Sequence, residues 1–109
     1  MPQVDLARLD LPPRVLACLQ DLLKAHVPDT EVWAYGSRVS GGAHEGSDLD
    51  IVLRPSALDE QPAGWLDLKD ALQQSAIPII VDTHLWQHLP ASFHGEIEQA
   101  YVLLQRGRV

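Results

Sequence analysis

Apolar positions along the chain change period several times, and each change marks an expected element. From Pro13, a residue suited to a first helical turn, Val15, Cys18, Leu19, Leu22, Leu23 and His26 recur at spacings of three and four, which predicts an amphipathic helix ending near His26. Pro12-Pro13 stops any helix begun in residues 1–12, because the residue before a proline avoids the helical region. After the break at Val27-Pro28-Asp29, Glu31 to Tyr35 reads as a short buried strand running into Gly36. Asp48 to Leu53 alternates, with Leu49, Ile51 and Leu53 on one face and Asp48 and Asp50 on the other. Pro62 opens a second helix striped by Trp65, Leu68, Leu72 and Ala76, and Ile77 to Asp82 reads as a third strand whose early proline suits an edge or a strand start. Thr83 to Leu89 reads as a connection, and a last helix carries Phe93, Ile97, Ala100, Tyr101 and Leu104 on one face up to Gly107.

The resulting order is helix, strand, loop, strand, helix, strand, helix. It predicts a small α/β or α+β domain with a mixed central sheet covered by helices, spanning residues 1–109 as one unit. A parallel pairing of the Asp48 strand with the third strand, through the helix between them, requires a right-handed crossover.

Between the first two strands lies a stretch of different character. Gly36, Gly41, Gly42 and Gly46, with three serines, imply tight backbone close to something bulky, and Ser37 offers a cap for a short helix. The two carboxylates that follow, Asp48 and Asp50, project from one strand face roughly 6.5–7 Å apart. Like charges so placed repel unless a cation lies between them, and hard Mg²⁺ takes oxygen ligands while leaving positions for substrate phosphates. Two metal ions roughly 3.5–4 Å apart need a third acid. Asp82, the later carboxylate that ends a strongly apolar run, is the expected third ligand, whereas Asp67 and Asp70 flank Lys69 on a helix and read as solvated surface. Glycine at 36 lets backbone approach a triphosphate, Ser37 adds a hydroxyl, and Arg38 presents a planar fork for phosphate. The chemistry expected of the set is attack by a hydroxyl on the α-phosphorus of a nucleoside triphosphate, with pyrophosphate leaving. Taken singly, an Asp-x-Asp, a Gly-Ser turn and one arginine each have a plainer account as turn or surface; it is their combination that points to a site.

Composition narrows the partners. The formal charge of −7 excludes affinity built on broad contact with a nucleic-acid backbone, which needs a surplus of Lys and Arg on one surface, so a nucleotide is held locally. The single cysteine, Cys18, fits a reducing compartment and a helix face buried among apolar residues. With no basic region ahead of an apolar run and no window of about 18 apolar residues, a cytoplasmic protein is expected, away from membranes.

Gly36-Ser37-Arg38, then Gly41, then Ser47-Asp48-Leu49-Asp50-Ile51 resembles the signature of the polymerase-β-like nucleotidyltransferases in their compact form, the minimal nucleotidyltransferase domains. Val81-Asp82 is similar to the family's third acid, and Phe93 and Ile97 followed by Val102-Leu103 resemble its closing helix, so the likeness covers about residues 30–106. The resemblance implies catalytic and metal-binding roles for Asp48, Asp50 and Asp82, nucleotide contacts from Gly36, Ser37, Arg38 and Ser47, and ATP with two Mg²⁺ ions. Ser40 stands where many members carry a second basic residue, and Thr83-His84 replaces common hydrophobic residues; His84 reads first as a polar strand-end residue, with a proton-transfer role at the site as the alternative. The resemblance further implies an antitoxin that attaches AMP to a tyrosine hydroxyl of a HEPN-family toxin ribonuclease, with which it forms a hetero-oligomer. Two other functions stay open at this point: an adenylyltransferase for a small hydroxylated molecule such as an aminoglycoside, and an antitoxin that neutralises its partner by contact alone.

Overall fold

The structure, a computed structural model, describes residues 3–44, 46–55 and 61–107. Five strands form one sheet in the order β1-β5-β2-β3-β4. They are β1 (Gln3–Val4), β2 (Glu31–Tyr35), β3 (Leu49–Arg54), β4 (Val81–Leu85) and β5 (Tyr101–Gln105). The helices are α1 (Pro13–His26), α2 (Ser37–Ser40), α3 (Trp65–Gln74) and α4 (Ala91–Gln99), with short 3-10 turns at Leu6–Arg8 and Trp86–His88.

The alternation along each strand divides the sheet into two unlike faces. Val32, Ala34, Leu49, Ile51, Leu53, Leu85, Val102 and Leu104 pack with Leu19 and Leu23 of α1 and Trp65, Leu68 and Leu72 of α3 into the main core. Each fully buried leucine or isoleucine there contributes about 1.5–3 kcal/mol relative to exposure. The opposite face carries a smaller cluster, Trp33, Val52, Trp86 and Ile97, at one end of the strands. There the Arg54 guanidinium lies over the rings of both Trp33 and Trp86, at 4.2 and 4.5 Å from their centroids. At the other end this face holds the acidic residues.

The main expectations of element type hold for α1, β2, β3 and α3, and β3 does pair in parallel with β4 across the α3 crossover. Several boundaries differ. The third strand runs Val81–Leu85 and not Ile77 to Asp82, because Pro78 lacks an amide proton and the ladder begins where Leu49 meets Val81. The segment read as a connection therefore contains strand and a 3-10 turn. The last helix stops at Gln99, and Tyr101–Gln105 is a strand, parallel to β1 and antiparallel to β2. Ala100, Tyr101 and Leu104 also fit helical spacing; the period-2 burial of Val102 and Leu104 against a waiting sheet edge decides the matter. Phe93, expected on the core side, is exposed. The polar connection expected at residues 57–61 falls largely outside the described residues. All three tryptophans are buried, and Cys18 is half-buried.

Candidate active site

β2 ends at Tyr35, and Gly36, at φ 87°, turns the chain out of the sheet into the one-turn helix α2. Gly36 itself precedes the helix, with Ser37 as the first helical residue, so the capping role expected of Ser37 belongs to the glycine. A Cβ built at position 36 would lie 2.7 Å from Oδ2 of Asp50, which no ordinary contact allows. Glycine is thus required twice over, by its backbone angle and by the carboxylate against which it turns. Gly36→Ala is expected to destabilise the fold by about 1–3 kcal/mol and to displace Asp50, checked by thermal melting and nucleotidyl-transfer rate together.

The register of the sheet lines up three polar residues. Tyr35 on β2 pairs with Asp50 on β3, and Asp50 pairs with Asp82 on β4. Paired residues point to the same face and neighbouring strands lie about 4.8 Å apart, so Tyr35, Asp50 and Asp82 form a row across the open end of the sheet. His84, two residues beyond Asp82 on the same face, has its ring 6.5 Å from that of Tyr35. Asp48 lies just before β3, exposed at the mouth of this row, and so stands outside the strand in which it was expected.

Electrostatics bear the mark of crowded acids. Burial first, then Asp82 and, least, Asp48 hold the Asp50 carboxyl above its usual range, while the His84 charge opposes them. Burial first, then the carboxylates of Asp50 and Asp82, push the Tyr35 hydroxyl up to about 12. Among the described residues no three His, Cys, Asp or Glu side chains form a ready-made metal cluster. The donor chemistry nevertheless fits a hard divalent cation: Asp50 and Asp82 face one another across a single strand spacing, and their mutual repulsion is what a cation would relieve.

Arg38 is placed differently from its expected role as a phosphate fork. It is buried, with 5% of its surface exposed. Its Nε and Nη2 donate to the carbonyl of Ser47 at 3.1 and 2.9 Å, Nη2 donates also to His44 O at 3.3 Å, and Nη1 donates to Asp10 O at 2.7 Å. The Asp10 amide returns a bond to Arg38 O at 2.8 Å. The guanidinium therefore ties the N-terminal segment to the loop that delivers Asp48. Ser47 assists, its Oγ accepting from the His44 amide at 3.0 Å. Sequence reasoning missed Tyr35 as a site residue, although its two-residue spacing from Trp33 at the end of β2 was a usable signal. It had no means of seeing the Asp10 carbonyl.

The family model described as the central palm domain of mitochondrial-like poly(A) RNA polymerase matches residues 4–102. The probable protein adenylyltransferase MntA of Haemophilus influenzae is 37% identical over 102 residues, covering 91% of this chain and 86% of the relative. The chain belongs to the minimal nucleotidyltransferases. In this nucleotidyltransferase the palm is the mixed five-stranded sheet, and the Gly36 turn and the Asp50–Asp82 row occupy its uncovered end. No helix among the described residues is long and apolar enough to cross a membrane.

Proposed function

We propose that residues 1–109 act as one catalytic unit, a protein adenylyltransferase that moves AMP from ATP to a tyrosine hydroxyl of a HEPN-family toxin and thereby serves as its antitoxin in the cytoplasm. The observation that carries this reading is the row Asp50–Asp82 beside the Gly36 turn, in a chain whose relative bears the name of a protein adenylyltransferase. Asp48, Asp50 and Asp82 are the residues that would hold two Mg²⁺ ions. Bound there, the ions would neutralise the triphosphate and favour departure of pyrophosphate.

The chain's own residues do the rest. The Gly36 backbone and the exposed Ser37 hydroxyl receive the triphosphate, with Ser47 shaping the loop beside them. Arg38 acts through that loop by holding it against Asp10. Asp82, half-buried on the outer strand, takes the proton on its carboxylate as the tyrosine oxygen bonds to the α-phosphorus. The bond from that phosphorus to the bridging oxygen of the β-phosphate breaks, and pyrophosphate departs.

The test is incubation with labelled ATP, Mg²⁺ and a HEPN-family protein encoded beside this gene, followed by mapping of the label. Label on a tyrosine of the partner is expected. Label on an aminoglycoside alone, or full neutralisation of the partner without any label, would overturn the proposal in favour of a small-molecule enzyme or a contact antitoxin.

A further inference from the structure

β4 is the last strand of the sheet, and among the described residues nothing pairs with its outer edge. The ladder shows which of its groups are left over. Leu49 pairs with Val81, and the Leu49 amide donates to Ile80 O at 2.9 Å. In a parallel ladder this pattern commits Ile80, Asp82 and His84 to β3 and turns the main-chain amides and carbonyls of Val81, Thr83 and Leu85 outward. Beneath the edge, between α3 and the chain leading into β4, lies a groove of about 580 Å³ lined by Asp70, Leu72, Ile77, Ile79, Ile80 and others that run on to Asp82 and Thr83. Ile80 is 65% exposed at its rim.

An open row of main-chain donors and acceptors above a partly apolar groove is what an extended polypeptide recognises. Resting on the protein-adenylyltransferase reading, we propose that the acceptor protein docks by adding a strand to the edge of β4. Side chains of an added strand alternate between the two faces. A tyrosine set opposite Asp82 points to the face that carries Asp50, which brings its hydroxyl to the acids, while the residues on either side of it point down into the groove beside Leu72 and Ile79. The occupant this selects is an extended tyrosine-bearing segment with apolar neighbours at the two flanking positions. Asp70 and Asp82 outnumber Lys69 in the groove lining, and in a chain of net charge −7 that balance favours basic residues further along it. The transfer step is unchanged: the tyrosine oxygen gains the adenylyl group, its proton passes to Asp82, and pyrophosphate leaves.

Thr83→Pro tests the edge without touching the acids. Proline removes the outward-facing amide and confines the preceding Asp82 to the extended backbone it already has in β4, and it is tolerated on an edge strand, so the ladder to β3 remains. With labelled ATP and the HEPN-family protein, Thr83→Pro is expected to raise the KM for the acceptor at least tenfold and to leave the KM for ATP as in the wild type, whereas Thr83→Ala, which keeps the main-chain amide and trims only the groove wall, is expected to shift the acceptor KM far less than proline does. Hydrogen exchange on the wild-type chain provides a second reading that needs no variant: the amides of Val81, Thr83 and Leu85 are expected to slow at least tenfold when the partner is added. Unchanged acceptor KM in Thr83→Pro, or unprotected edge amides in the complex, overturns strand addition alone. Protection that appears without partner and grows with protein concentration assigns the edge to a second copy of this chain and also overturns it. Wild-type protein that labels no protein at all overturns the adenylyltransferase reading and this docking mode with it.

Discussion

Asp50→Asn is expected to lower AMP transfer at least about a thousandfold, equivalent to about 4 kcal/mol of transition-state stabilisation, while the melting temperature stays level or rises. The two halves of that result have one cause. Asp50 is half-buried, paired with Asp82 and close to Asp48, and its carboxyl is held above the usual range by burial and by those charges. A folded-state value above the unfolded one means that the folded protein holds this proton more tightly. Stability from the group is therefore present at acid pH and is lost as pH rises from the ordinary value of 3.8 through the raised folded one. At neutral pH the metal-free protein carries a destabilising charge, and asparagine removes it. Melting curves of wild type and variant without metal should converge as pH falls, and added Mg²⁺ should raise the melting temperature of the wild type more than that of the variant. A large fall in the variant's melting temperature at pH 7 would show instead that Asp50 is a structural acid, and would sink its assignment to catalysis.

Arg38→Ala should be the most damaging of the single changes to stability near the site, at about 2–4 kcal/mol, or roughly 10 °C or more in melting temperature for a domain of this size. The substitution leaves the carbonyls of Asp10, His44 and Ser47 without their shared donor, and it frees the loop that ends at Asp48. Arg38→Lys should recover little of this. An ammonium keeps the charge, but one nitrogen cannot span carbonyls contributed by residues 10, 44 and 47. The contrast separates two roles. A phosphate-contacting arginine would, when changed to lysine, leave the melting temperature intact and raise the KM for ATP; a loop-holding arginine loses stability first, with transfer falling because Asp48 is no longer placed.

The difference between those two roles also marks the boundary of what local pattern can convey. Gly36-Ser37 and Asp48-x-Asp50, the helix α1, and the strands β2 and β3 were all legible in the sequence, because each depends on residues a few positions apart: a turn that needs glycine, a period of 3.6, a period of 2. The C-terminal segment was not. Ile97, Ala100, Tyr101 and Leu104 satisfy helical spacing, while Tyr101 to Gln105 satisfy strand alternation equally well, and only the presence of β1 and β2 as hydrogen-bonding neighbours selects the strand. Ile77 to Ile80 looked as much like strand as Val81 to Leu85 did, until the register with Leu49 began the ladder at Val81.

Residue types and spacings by themselves thus determined that this chain carries a nucleotidyltransferase motif: a glycine turn, two acids on alternating positions, and a third acid some thirty residues later. Tertiary structure alone decided that Asp82 falls in register with Asp50, that Tyr35 completes the row, that Arg38 faces inward to hold the loop, and that β4 is the outermost strand among the described residues. The reason is physical. Backbone angles and periodicity are set over a few residues, whereas the partner of a strand, and the direction in which a buried guanidinium spends its donors, depend on groups brought together from distant parts of the chain only when the core closes.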